Sequence, residues 1–234
     1  MATLSYHEQK DIENIKKLRE LQKELPSFCS DFFRGIETST STRTRIAYAY
    51  DLKIFFQFLK AANPGTFDNP SHTLTPSDLE KLTVTDLEEY IDYLKCHPSD
   101  TNEDVINTER GLMRKVSSLR SFYSYFFRNE RIEKNPAALV RMPKLHEKEI
   151  IRLEIDEVAK LLDEVEEGDK LTEKQKLYHE RTKVRDLAMM SLLLGTGIRV
   201  SECVGLNIND IDLDTCGARV YRKGGKESVI YFSD

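Results

Sequence analysis

The sequence contains no tryptophan, and only 10 glycines and 7 prolines among 234 residues. That scarcity excludes collagen-like and low-complexity chains and leaves little room for long irregular loops. No apolar run approaches the roughly 18 residues that would cross a bilayer as a helix. The opening stretch, MATLSYHEQKDIENIKKLRE, is charged throughout. It has no apolar core followed by a small-residue cleavage site, so it does not read as a secretory signal. Cysteine is sparse too. Cys29, Cys96, Cys203 and Cys216 lie far apart with no Cys-x-x-Cys pair. This points to reduced thiols in a cytoplasmic protein, not to a disulfide framework or a zinc site. There is no GxxxxGK[S/T] phosphate loop and no cluster with metal-ligand spacing.

Charge, by contrast, is abundant: 32% of residues are Asp, Glu, Lys or Arg, and the net charge is −5. Taken alone, that balance argues against a nucleic-acid partner, but the charge is unevenly placed. Residues 107–145 hold nine basic and three acidic side chains, a local excess of +6. Residues 151–181 hold six basic and ten acidic ones, an excess of −4.

Periodicity predicts a mainly helical chain. Ile12, Ile15, Leu18, Leu21 and Leu25 recur at helical spacing over 9–25, up to Pro26. The ETSTSTRT stretch offers N-caps for a helix from about Thr42, on which Tyr48, Leu52, Phe55 and Leu59 repeat until the NPG breaker at 63–65. A Thr-capped helix is expected at 84–95. The longest is expected at 106–128, with an apolar stripe of Leu112, Val116, Leu119, Phe122, Tyr123 and Phe126. A short turn around NPAALV follows. The polar, proline-containing RMPKLHEKEI, 141–150, reads as a linker. Beyond it come helix 155–165, a charged helix near 172–181, an apolar helix at 183–194 and a short helix from Val200. Two β-rich runs, 218–222 and 228–232, flank a Lys-Gly-Gly-Lys turn and read as a hairpin.

Four constellations could carry chemistry. On the wheel of helix 106–128, Arg110, Arg114, Ser118 and Ser121 fall near one another, roughly opposite the aromatic stripe. Arginines beside short hydroxyls suit close approach to a phosphate backbone, although a plain solvated face has the same pattern. Arg43, Arg45 and Lys53 add a second basic element. In LLLGTGIRVSECVGL, 192–206, two glycines permit a tight turn before Arg199. An arginine there either offers its planar fork to an anion or pairs with Glu202, three residues on. In RKGGKES, Lys223 or Lys226 could reach a phosphate or donate a proton, or the turn is merely soluble.

Taken in this order, the segments resemble the tyrosine recombinases (the phage integrase family), particularly their Xer-like bacterial members. GTGIRVSECVGL is similar to the family's first-arginine motif, TG-(L/I/M)-R-(I/V)-SE-x-x-x-L. RKGGKES resembles its Lys-Gly-x-Lys-Glu β-turn. TRTRIAYAYDLKIFFQFL and RKVSSLRSFYSYFFRNERIEKNPAALVRMPKL resemble its helical core-binding domain, and the likeness spans roughly residues 40–234.

The resemblance implies a mainly α fold: an all-helical, SAM-like core-binding domain, then the first part of an α+β catalytic domain with a small antiparallel hairpin or sheet. Its implied limits are a helical extension at 1–36, a DNA-binding domain at 37–141, a linker at 142–151 and the catalytic part at 152–234. Arg199 would bind the scissile phosphate, and Glu202 would position it. Lys223 would be the general acid, with Lys226 as the competing choice. Arg43, Arg45, Lys53, Arg110, Arg114, Lys115, Ser118, Arg120, Ser121 and Lys144 would contact DNA. The partners implied are double-stranded DNA and other recombinase subunits, a tetramer on DNA, with no membrane and no small-molecule cofactor.

The sequence departs from the family pattern in its missing HxxR motif, its missing further His or Trp and its missing late tyrosine. None of His7, His72, His97, His146 and His179 is followed three residues later by arginine, and Tyr221 and Tyr231 lie in the hairpin. The expectation is therefore a chain that stops part-way through the catalytic domain, binds DNA and lacks the nucleophile. A non-catalytic DNA-binding regulator and a helical protein-interaction domain are the other readings. Residues 151–234 are further expected to be less stable than 40–140, or to be rescued by dimerisation, because the Leu192–Leu194 and Val204 surfaces would lack partners.

Overall fold

The computed structural model describes residues 6–99, 103–146, 149–222 and 226–232. The chain divides into two compact units, 1–148 and 149–234.

The first unit is helical. It comprises α1 (Tyr6–Lys23), α2 (Cys29–Gly35), α3 (Thr42–Ala62), the single turns α4 (Pro64–Phe67) and α5 (Pro76–Leu79), α6 (Val84–Lys95), α7 (Glu109–Arg128) and the turn α8 (Pro136–Leu139). Local chemistry sets the boundaries. The Ser41 hydroxyl accepts from Thr44 N–H (3.2 Å) at the start of α3, and the Thr108 hydroxyl accepts from Gly111 N–H (3.2 Å) at the start of α7. Asp86 accepts from Thr83 N–H (2.6 Å) to begin α6.

An aromatic cluster joins these helices. The Phe32 ring meets Phe122 edge-on at 5.2 Å, and Phe28 meets Phe126 at 5.5 Å. Leu18, Leu21 and Leu25 of the α1 region are buried in the same core as Leu52 and Phe55 of α3. The expected α7 stripe is the buried face, except that Leu112 is only partly covered.

Three features differ from expectation. The seven-residue α2 was not anticipated, being too short for a periodic signal. A small antiparallel pair, β1 (Cys96–Pro98) and β2 (Asp104–Ile106), follows α6 where no strand was expected. Helix α7, at 20 residues, is shorter than α3 at 21.

The second unit contains α9 (Ile155–Glu167), α10 (Glu173–Thr196), α11 (Val200–Val204), a 3-10 turn at Ile208–Asp210 and a sheet in the order β3 (Ile211–Asp212), β4 (Gly217–Arg222), β5 (Lys226–Tyr231), antiparallel throughout. The two helices expected at 172–181 and 183–194 are one continuous α10 of 24 residues. No proline or glycine separates the charged half from the apolar half, so the change in composition does not break the hydrogen-bond ladder. Ile198, Cys203, Ala218, Val220 and Ile230 form the core of this unit, flanked by Leu192, Leu193 and Leu206. The expected hairpin is β4–β5. Its tip, including Lys223, lies outside the described residues.

Among the described residues, no helix is long and apolar enough to cross a membrane, and no group of His, Cys, Asp or Glu side chains could hold a metal ion.

Candidate functional site

Arg199 stands at a corner built by backbone. α10 ends at Gly197, whose left-handed φ of 65° lets its N–H return to Leu193 O (2.9 Å). Ile198 then drops into the core, and Arg199 is extended (φ −73°, ψ 148°) as the N-cap of α11. Glu202, buried one turn later, grips Arg199 twice: Oε2 accepts from the backbone N–H (3.0 Å) and Oε1 from Nη1 (2.9 Å). The backbone bond is the main cause that holds the Glu202 carboxyl below its usual range. Burial opposes it, while the Arg199 guanidinium and the Arg222 charge reinforce it. The Arg199 side chain is 69% exposed. Pairing with Glu202 and presentation of a cation to solvent thus coexist in one geometry. Lys226, at the start of β5, is exposed.

In the helical unit, the N-terminal halves of α3 and α7 frame an open groove of ≈ 500 Å³ that brings together Arg43, Arg110 and Arg114. Thr44, Ala47, Tyr48, Met113 and Ser117 complete its lining. Asp51 lies beneath Arg114, 2% exposed, and its Oδ2 accepts from Arg114 Nη1 at 2.5 Å. Burial raises the Asp51 carboxyl to about 6, against the opposing pull of Arg114 and Lys115.

The remaining expected contacts are placed elsewhere. Ser118 is fully buried and Lys115 nearly so, its Nζ donating to Asn107 Oδ1 (2.8 Å). Both are corrections to the expected solvent-facing strip. α7 packs against α2, α3, α6 and α8, so it keeps less open surface than a wheel with one apolar face implies. Arg45 is buried and pairs with Glu37 (2.7 Å). Lys53 pairs with Glu24 (2.9 Å). Arg120 donates to the carbonyls of Ala137 (3.1 Å), Ala138 (3.1 Å) and Val140 (2.5 Å), tying the α8 turn to α7. Ser121 is half-buried, and Lys144 is exposed. Sequence reasoning missed Asp51. The available signal was an acidic residue beside Leu52, within the apolar repeat of α3.

Residues 151–234 match the family model described as Phage integrase family. A tyrosine recombinase XerC of Caldanaerobacter subterraneus subsp. tengcongensis is 34% identical over 218 residues, covering 89% of this chain and 56% of the relative. A tyrosine recombinase XerS of Streptococcus uberis is 31% identical over 241 residues, covering 92% of this chain and 66% of the relative. The chain thus spans about half to two-thirds of the length of these relatives.

Two solved structures share the fold. A lambda integrase dimer bound to a COC' core site aligns with a TM-score of 0.54 at 16% identity, covering 91% of this chain and 51% of that one. The XerH site-specific recombinase bound to difH substrate aligns with a TM-score of 0.53 at 16% identity, covering 92% and 57%. With the arginine corner, the helical unit and the relatives in agreement, the chain belongs to the phage integrase family of tyrosine recombinases.

Proposed function

We propose that this chain supplies the DNA grip and the first phosphate-binding arginine of a site-specific DNA recombinase, which cuts and rejoins strands through a 3′-phosphotyrosyl link. The observation that carries the proposal is the Arg199 corner. A buried carboxylate fixes the guanidinium, and the side chain is left open to solvent. Transesterification at phosphorus concentrates negative charge on the non-bridging oxygens in the transition state. A cation already oriented toward that position stabilises the transition state more than the ground state. In this reading Lys223 protonates the leaving 5′-oxygen, with Lys226 as the competing choice, and Glu202 keeps Arg199 in register.

The groove holding Arg43, Arg110 and Arg114 receives the duplex backbone, and exposed Lys144 extends the basic surface. Arg45, Lys53, Lys115, Ser118 and Arg120 serve the interior that holds this surface in shape. The proposed DNA-binding domain starts earlier than residue 37, because Leu18, Phe32 and Phe33 fill the same core as α3 and α7. Partner subunits of the same recombinase, assembled on duplex DNA in the cytoplasm, complete the reading.

The test is equilibrium binding of the chain to duplex DNA across a salt series, followed by selection from a randomised duplex pool. Affinity is expected to fall steeply with salt. Loss of one phosphate contact in Arg43→Ala or Arg110→Ala should flatten the log–log slope by about 0.9. Selection should enrich one sequence. Salt-independent binding sinks the phosphate grip, and a pool left unenriched sinks site-specificity.

A further inference from the structure

Among the described residues, Arg114 is the one arginine of the groove whose guanidinium is shared with a buried acid. Its Nη1 lies 2.5 Å from Asp51 Oδ2, and its side chain remains 45% exposed. Asp51 comes from α3 and Arg114 from α7, so the ion pair spans the two helices that frame the groove. The charged and titratable groups facing Asp51 are Arg114 and Lys115 from α7 and Tyr90 from α6. The Tyr90 hydroxyl donates to the Asp51 backbone carbonyl at 3.4 Å. Asp51 Oδ1 and the Ser118 hydroxyl are both buried without a close hydrogen-bond partner among the described residues, and Ser118 lies near enough to the carboxyl to pull it down, against burial.

A carboxylate in this position competes with any phosphate for one guanidinium. It also places a negative charge behind the surface that a polyanion would approach. A proton on Oδ1 removes that charge, while Oδ2 can still accept from Arg114.

We infer that Asp51 is a positioning residue for Arg114 whose protonation state sets how tightly the groove holds a duplex, so that DNA binding by this chain takes up a proton. The inference rests on the reading of the groove as a DNA-binding surface. Burial that raises the Asp51 carboxyl to about 6 puts the change within reach of ordinary buffers. Below about 6 Asp51 is neutral, and Arg114, still held at Oδ2, has its positive charge free for phosphate. Above it the carboxylate forms and holds the guanidinium back. A bound polyanion raises the carboxyl further, and this is the source of the proton uptake.

The experiment measures the affinity of the chain for a duplex from pH 5 to pH 8 at fixed ionic strength, for the unmutated protein, Asp51→Asn and Arg114→Ala. Unmutated protein is expected to lose affinity about fivefold to tenfold across the window. Asp51→Asn keeps an acceptor for Arg114 without the charge. It is expected to bind at pH 8 as tightly as the unmutated chain does at pH 5, with no pH dependence between. Arg114→Ala is expected to bind weakly throughout, with the dependence much reduced. Calorimetry of the unmutated chain in two buffers of different ionisation heat, near pH 7, should show a fractional proton taken up, independently of how any variant folds. A flat profile in the unmutated protein, or the same slope retained in Asp51→Asn, overturns the inference while leaving DNA binding intact. No duplex binding by the unmutated chain at any pH removes the DNA reading itself, and the inference with it.

Discussion

An L-residue in the left-handed region costs about 1–2 kcal/mol, and Gly197 sits there at φ 65°. A Cβ built on Gly197 meets nothing within 4 Å, so a substitution there meets conformational cost alone. Gly195, two residues earlier and within α10, has equally open surroundings and no left-handed backbone. The two glycines therefore predict opposite outcomes. Gly197→Ala should destabilise the 149–234 unit by about 1 kcal/mol and displace Arg199, whereas Gly195→Ala should stabilise it by about 0.5–1 kcal/mol. Thermal unfolding of both variants checks this, and equal shifts would remove the strained corner from the account of Arg199. The Arg199–Glu202 contact was legible because its partners are three residues apart. The Asp51–Arg114 pair was not, because 63 residues separate its members and only the packing of α3 against α7 joins them.

At the scale of elements, hydrophobic period located α1, α3, α6 and α7, and the hydroxyl caps placed the starts of α3 and α6, whereas the 24-residue α10 was divided in two by its change of composition. What escaped were elements without period. Among these were α2, β1–β2 and the turns α4 and α5, whose order comes from specific polar contacts or from tertiary burial. α5 shows how such an element is held. Asp78, 2% exposed, accepts from Thr75 N–H (2.9 Å) and Lys81 Nζ (2.7 Å), and its Oδ2 lies 3.0 Å from His72 Nε2. Burial alone would raise this carboxyl, but the donors from Lys81, Thr75 and His72 outweigh it and hold it at about 2.

A carboxyl held below its unfolded value of 3.8 contributes stability above that pH, and the contribution is lost as pH falls through about 2. The Lys81 side chain is 62% exposed, so solvent screens part of the gain, which leaves about 1 kcal/mol. Asp78→Asn should therefore cost about 1 kcal/mol at pH 7. The cost should shrink toward zero near pH 2 in denaturant titrations of the two proteins. A pH-independent difference would mean that Asp78 acts through shape alone.

For the whole molecule, the ordered series of motifs conveyed fold class and family together. The sequence also led to the expectation that 151–234 is the less stable part; what it did not locate is which elements carry the exposed apolar surface. The helical unit seals Phe32, Phe55, Tyr90, Phe122 and Phe126 almost completely. In the second unit neither α9 nor α10 has a buried residue, and Ile155, Leu177 and Val184 are 89%, 70% and 77% exposed. Local stability follows buried apolar contact, so backbone amides should open at lower cost where such contact is thin. Hydrogen exchange by the chain is accordingly expected to be slowest in α3, α6 and α7 and markedly faster in α9 and the first half of α10. Exposed apolar surface also favours self-association, which would slow exchange in α9 and α10 as protein concentration rises. A dilution series separates the two effects: fast exchange that persists on dilution reports the intrinsic stability of the unit, and concentration-dependent protection reports a partner copy. Equal protection of both units in dilute monomer would show that the small core of Ile198, Cys203, Ala218, Val220 and Ile230 suffices to hold its helices.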